Sequence, residues 1–367
     1  MKSYMEDLKQ RCINKLTKTS TRIKDSIPYT TVDGKYDDYS DSEHIHWWTN
    51  SFWAGIMWQM YCETGEKQYA DYAENIEKKL EKVLHDFEML DHDLGFLWLL
   101  TGVERYRQTG NERAKNNALL AASVLAARFN PYGNYIRAWN GEHNNGVVII
   151  DCMMNIPLLY WASEVLGDDR FSNIARAHAD TVIENFIREN GSSKHIIRFN
   201  INTGKYLEEY AGQGCAEGSS WTRGQGWAIY GFIQNYQWTN DARYLEVASN
   251  AAKYFISMAE KDNYKIKCDF CQPEKDELYD TSAAAIAACG MIELYKETDN
   301  REFLDAAVRL VRVCDELFCP WSDEADEALL NYGCVMYTDA KQMPLIYGDY
   351  YFFKAVCEID TLLNDIQ

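Results

Sequence analysis

Apolar residues recur at helical spacing along most of the chain, as in Tyr254-Phe255 with Met258-Ala259, and Leu304 with Ala307-Val308 and Val311. That period marks helices that each bury one stripe. Read along the chain, it predicts about twelve helices, near 3–19, 51–63, 67–87, 92–108, 112–128, 147–165, 169–188, 222–238, 241–259, 280–297, 299–316 and 345–363. Five of the breaks between them share one grammar: Thr64-Gly65-Glu66, Thr109-Gly110-Asn111, Leu166-Gly167-Asp168, Thr239-Asn240-Asp241 and Thr298-Asp299-Asn300. In each, a Gly, Asn or Asp suits a left-handed helix end, and a polar residue then caps the next helix. Such turns join antiparallel helices into hairpins.

The other connections are long and rich in Gly, Asn and aromatics: 20–50, 129–146, 189–221, 260–279 and 317–344. Short β pieces fit Lys194–Phe199 and Tyr264–Lys267. Bland turns at one end and decorated loops at the other predict an all-α, single-domain (α/α)6 barrel over 1–367, a toroid of six helical hairpins. An open helical solenoid is the alternative, disfavoured by the lack of a strict repeat length. In such a ring the clusters that open alternate helices share one rim. They are Trp47–Trp53, Asp91-His92-Asp93, Asp151–Asn155, Trp221–Trp227, Asp280-Thr281-Ser282 and Gly348-Asp349-Tyr350-Tyr351. Long loops on a rigid scaffold are where binding residues sit.

Composition narrows the partners. A formal net charge of −19 lacks the basic stripe that nucleic acid requires and disfavours an anionic membrane surface. A small anionic substrate stays compatible, because local donors act against a global charge. No run of about 18 apolar residues predicts a membrane helix, and the polar stretch Met1–Thr17 does not read as a signal peptide. The 11 cysteines are odd in number and scattered, some within apolar helical stretches (Cys152, Cys289, Cys357), which predicts reduced thiols in a cytoplasmic protein. Oligomeric state is left open.

Two aspartates stand out as acid candidates, Asp93 in His92–Phe96 and Asp151 in Ile149–Met153. Asp is a favoured helix cap, and capping competes with chemistry at both places. Asp151 resists that explanation better. Val147–Ile150 precede it and Cys152–Met154 follow, so the carboxyl is enclosed by apolar residues. Desolvation would then raise its pKa and suit it to donate a proton near neutrality. In Gly218–Trp227, Trp221 and Trp227 flank Arg223 and Gln225 among glycines. Arginine can clamp a carboxylate with two parallel hydrogen bonds, and the aromatic faces suit a sugar ring. An ordinary loop-to-helix junction with packing tryptophans is the plainer alternative.

Other signals are weak. Asp37-Asp38-Tyr39-Ser40-Asp41 has the DDxxD pattern of metal-dependent prenyl-diphosphate enzymes, but it lies in a polar loop with no second motif. Cys268-Asp269-Phe270-Cys271 is a single CxxC without a second ligand pair. No phosphate-cradling loop or nucleophile elbow is present. No metal site and no cofactor are predicted.

Taken together, Trp48–Gly55, His92–Phe96, Ile150–Asn155, Gly218–Trp227, Asp280–Ala283 and Gly348–Tyr351 resemble glycoside hydrolase family 88, the unsaturated glucuronyl hydrolases, and follow the family order over nearly the whole chain. The resemblance implies a six-hairpin α/α barrel. It also implies removal of a 4,5-unsaturated uronic acid from the non-reducing end of lyase-generated oligosaccharides, glycosaminoglycan-type, by hydration of the C4=C5 enol ether. Carried over by motif, Asp151 is the general acid/base, and Asp93 holds sugar hydroxyls and tunes Asp151. Trp48, His195, Gln213, Trp221, Arg223 and Trp227 match subsite positions, Trp139 resembles another stacking residue, and His92 and Ser219 complete the substrate-binding set.

Two departures stand against the family pattern. Relatives preferring sulfated chondroitin-type substrates carry a Ser- and Lys-containing stretch before the last motif. Here Leu330–Lys341 offers only Lys341. Tyr347 replaces a frequent Trp. An unsaturated rhamnogalacturonyl hydrolase acting on pectin fragments and a non-catalytic carbohydrate-binding toroid are the alternative functions.

Overall fold

The computed structural model describes residues 1–41 and 43–365. Ser42, which falls in the long connection 20–50, and Ile366 and Gln367, at the end of the expected domain, lie outside the described residues. Among the described residues, twelve helices form six antiparallel pairs. Five pairs follow in sequence: Phe52–Thr64 with Lys67–Leu80, 94–109 with Glu112–Ala127, Pro157–Leu166 with Arg170–Phe186, Thr222–Thr239 with Ala242–Lys261, and Thr281–Thr298 with Arg301–Leu317. The sixth joins the chain ends, Lys2–Ile23 against Ile346–Asp365, and Ile346–Asp365 also packs on Phe52–Thr64. The ring is closed, as an (α/α)6 barrel requires.

Composition sorts the helices into inner and outer. Thr281–Thr298 is Ala-rich and buries every residue from Thr281 to Ile292, because neighbours flank it on several sides. Arg301–Leu317 keeps one apolar stripe and faces solvent with the rest. Each of the five short turns carries its left-handed residue: Gly65, Gly110, Gly167, Asn240 and Asp299, with φ between 53° and 73°. Asn111, Asp241 and Asn300 then accept a main-chain N–H and start the following helix.

Three expected elements differ. The helix predicted over 147–165 is instead a strand, Val147–Ile149, then a 3₁₀ turn, Ile150–Met154, then a helix beginning at Pro157. A proline fits the first helical position but no interior one, and the β-branched run ahead of it pairs as a strand. The helix predicted over 67–87 ends at Leu80 and continues as 3₁₀ turns. The β piece expected at Tyr264–Lys267 is only a single bridge, Lys267 to Tyr279. The other expected piece is real, as Ile196–Phe199, and sits at the centre of an antiparallel sheet between Val147–Ile149 and Tyr206–Tyr210. That sheet matters for chemistry: pairing Ile149 with Ile196, and Ile150 N–H with the His195 carbonyl at 3.0 Å, sets Asp151 beside His195.

Candidate active site

Asp93 immediately precedes the inner helix that begins at Leu94, and Asp151 lies in the 3₁₀ turn that follows the strand. Their side chains keep only 14% and 16% exposure. One residue ties them together. Asn155 Nδ2 donates to Asp93 Oδ1 at 3.1 Å and to the Asp151 carbonyl at 3.3 Å. Burial raises the Asp151 carboxyl to about 7, and the Asp93 charge pushes the same way against Arg223 and the Trp227 indole. Burial likewise raises Asp93 to about 7, opposed by the Asn155 amide and by Arg128. Asp91, whose Oδ1 accepts the Asp93 N–H at 2.8 Å, is raised to about 6, by burial first and by Asp93 next. Two carboxyls that cannot both ionise cheaply near neutrality form a coupled pair able to hold a proton.

The two histidines are neutral, and the His92 tautomer follows from its neighbour. Burial pushes His92 down to about 4 and His195 to about 3. His92 Nδ1 lies 3.2 Å from the Ala138 carbonyl, which can only accept, so Nδ1 carries the proton and Nε2 turns a lone pair to Asp93 Oδ1 at 3.4 Å. His195 Nδ1 meets both the Gln213 main-chain N–H at 3.0 Å and the Ala211 carbonyl at 3.2 Å, and its Nε2 points at Asp151 Oδ2, 3.7 Å away.

The aromatic residues divide into two kinds. Trp221 and Trp227 are buried, Trp221 between His195 (ring centroids 4.0 Å apart) and the Arg223 guanidinium (4.5 Å), Trp227 against Phe96 and Tyr351. Their faces are covered by protein, which corrects the expectation that they stack on a sugar. What they offer is the indole N–H, and neither Nε1 has a hydrogen-bond partner. Trp48 and Trp139 are half-buried and keep ring surface available. Trp48 leans on Phe96 and Tyr347, and Trp139 meets the His92 edge at 5.7 Å.

Arg223 also differs from the free clamp read in the sequence. It is 1% exposed, its Nη1 meets Asp280 and the Cys334 carbonyl, and its Nη2 donates to the Val335 carbonyl at 2.8 Å. Arginine has five N–H donors. Three are engaged here, leaving Nε–H and one on Nη2. Gln213 is similarly tied, through its Nε2 to the Val335 carbonyl at 2.8 Å. Ser219 Oγ donates to Asp269 Oδ2 at 2.6 Å, so the hydroxyl expected to contact substrate braces its own loop.

Two of the rim clusters are structural. Asp349, buried, accepts from Tyr36 Oη and the Leu329 and Leu330 N–H groups, stapling two loops to the last helix. Asp280 caps its helix and holds Arg223. The DDxxD aspartates accept nearby main-chain N–H groups, Asp37 from Tyr29 and Thr30, Asp38 from Ile27, and Asp41 from Glu43 and His44. Cys268 of the CxxC is buried and Cys271 exposed. Asp91, His92 and Asp93 bring one donor atom each within 4.8 Å. Asn155 and Asp91 were missing from the candidates; both sit in clusters already singled out, but neither residue type by itself signals chemistry.

The profile of Glycosyl Hydrolase Family 88 matches residues 19–234, more than half of the chain. An unsaturated glucuronyl hydrolase of Bacillus sp. (strain GL1) is 34% identical over 325 residues, covering 85% of this chain and 86% of its own. An unsaturated chondroitin disaccharide hydrolase of Streptococcus pneumoniae is 29% identical over 345 residues, 91% of this chain and 86% of its own. A solved UGL variant with dGlcA-Glc-Rha-Glc superposes with a TM-score of 0.88 at 31% identity, covering 95% of this chain and 94% of that one.

Proposed function

The chain belongs to Glycosyl Hydrolase Family 88 and is a glycoside hydrolase, and we propose that it releases 4,5-unsaturated uronic acid from the non-reducing end of small lyase-generated oligosaccharides. The observation that carries the reading is a buried carboxyl, Asp151, raised to about 7 and bordered by the otherwise unpartnered His195 Nε2 and Trp227 Nε1. An enol ether is electron-rich at C4, so a proton donor effective at neutral pH is the chemical requirement. Asp151 protonates C4, and charge develops at C5, shared with the ring oxygen. The Asp151 carboxylate then takes a proton from the water that adds at C5. The resulting C5 hemiketal opens to a ketone, its ring oxygen becomes a hemiacetal hydroxyl on C1, and that hemiacetal expels the leaving sugar as an alcohol.

In this reading Asp93 accepts from the sugar hydroxyls and keeps a negative charge beside Asp151. His92, Trp48 and Trp139 bound the ring. Trp221 Nε1–H, Trp227 Nε1–H and the remaining Arg223 donors supply hydrogen bonds to the uronate, and His195 Nε2 faces the attacking water. Gln213 and Ser219 act from behind, Gln213 by holding the His195 ring through its main-chain N–H. The names of the relatives favour glycosaminoglycan fragments over pectin. Lys341 is exposed at the loop before the last helix and is the one cation in 330–341, which argues against a strong preference for sulfated sugar. Among the described residues no helix is long and apolar enough to cross a membrane, and the cysteines are free thiols, in keeping with a cytoplasmic location.

The test is loss of the conjugated-uronate absorbance on a panel of lyase-generated disaccharides. Turnover of chondroitin-type disaccharides, with little on unsaturated rhamnogalacturonides, is expected; the opposite order would assign it to pectin, and binding without any absorbance loss would leave a carbohydrate-binding toroid.

A further inference from the structure

Asn155 is fully buried, and every polar atom of its amide is engaged. Its Oδ1 accepts the Phe96 main-chain N–H at 2.7 Å. A main-chain N–H can only donate, so the amide cannot flip. Nδ2 is thereby held toward Asp93 Oδ1 at 3.1 Å and the Asp151 carbonyl at 3.3 Å. Backbone packing enforces the approach. A Cβ on Gly95 would lie 2.2 Å from Asn155 Cα and 2.3 Å from its carbonyl oxygen, so only glycine lets the helix after Asp93 sit against Asn155.

We propose that Asn155 is the positioning residue that makes the two aspartates unequal: its locked amide donates to Asp93 alone and so leaves the proton they share on Asp151. This rests on the function proposed above. A hydrogen bond to a carboxylate favours its charged form, whereas Asp151 Oδ2 has no hydrogen-bond partner. The Asn155 hydrogen bond works against the other neighbours, since a His92 Nε2 lone pair faces Asp93 whereas Arg223 and the Trp227 indole favour the charged form of Asp151. Asp93 faces Asp91 and the neutral His92 from its own segment, Cys152 and Asp151 from the 3₁₀ turn, and Arg128 from beyond the helix Glu112–Ala127. Asp151 faces Asp93, the neutral His195, Trp227 and Arg223, whose charge is already paired with Asp280. Among the described residues the Asn155 amide alone both donates to one of the two carboxylates and holds the backbone of the other.

Asn155→Ala removes the donor, and Asn155→Asp removes it while placing a further acid beside Asp93. Both raise the tendency of Asp93 to hold a proton, the second more. The acid limb of the kcat/KM profile on an unsaturated disaccharide should therefore move up by about one pH unit in Asn155→Ala and further in Asn155→Asp. At pH 7, kcat/KM should fall about tenfold or more. A purely structural residue would lower the rate with the limb unmoved, and that result overturns the proposal. In the wild type, carboxyl carbon-13 titration by NMR should find Asp93 deprotonating below Asp151; the reverse order also overturns it, even if neither variant folds. Wild-type turnover tests the function separately, so an active wild type with an unmoved limb removes only the role of Asn155.

Discussion

His195 Nε2 and Asp151 Oδ2 face each other across 3.7 Å, and neither atom has a hydrogen-bond partner within the protein. The separation exceeds a direct hydrogen bond, and on the far side of the imidazole Nδ1 meets both the Gln213 N–H and the Ala211 carbonyl. An imidazole nitrogen and an acid are thus held facing one another. A buried polar atom gains about 1–3 kcal/mol when a partner satisfies it, and a polar substrate group beside this pair can reach both atoms.

The raised carboxyls make stability depend on pH with a definite sign. Asp93, Asp151 and Asp349 all titrate near 7 in the folded protein, above the ordinary carboxyl value. The native state therefore holds protons that the unfolded chain has lost. Their contribution is fully present below the unfolded pKa, about 4, and is lost as pH rises through about 7. Thermal melts should show a less stable protein at pH 8 than at pH 5. Asp151→Asn should melt higher than the wild type at pH 8, by an amount worth about 1–3 kcal/mol, with the gap closing toward pH 4. A variant no more stable than the wild type at pH 8 would mean that the Asp151 carboxylate is not penalised by burial.

Arg223 and Asp280 form a buried pair, with exposures of 1% and 0%. Removing one partner strands the other charge, at about 3–5 kcal/mol. Asp280→Ala should therefore lower the melting temperature substantially and weaken substrate binding, since it frees the loop at Cys334 and Val335 that Arg223 also holds. Arg223→Ala should likewise destabilise, and its KM should rise. A melting temperature unchanged in both variants would contradict the paired geometry.

Much of this arrangement was legible in the residues. Gly65, Asn240 and Asp299 announce left-handed helix ends, and the helix–turn–helix alternation follows from them. Asp151 was recognisable because apolar neighbours on both sides foretold its burial. What escaped was contact made far along the chain. Val147-Val148-Ile149-Ile150 is a continuous apolar run that fits a buried strand or a helix equally well, and only pairing with Ile196–Phe199 decides. The commitment of Arg223 to Asp280 and Val335, and of Ser219 to Asp269, spans up to 112 positions and leaves no local trace. Trp221 and Trp227 were read as stacking faces because nothing in their own segment reveals that His195 and Phe96 cover them.

The central claim, that a proton from Asp151 and a water add across the C4=C5 bond, is tested most directly by isotope. Turnover of an unsaturated chondroitin disaccharide in heavy-oxygen, deuterated water, followed by NMR and mass spectrometry at early time, should place deuterium at C4 and the heavy oxygen at C5. Asp151→Asn should lose both by about a thousandfold while unfolding cooperatively. Heavy oxygen at C1 with the alkene retained, or an Asp151→Asn variant turning over near the wild-type rate, would contradict it.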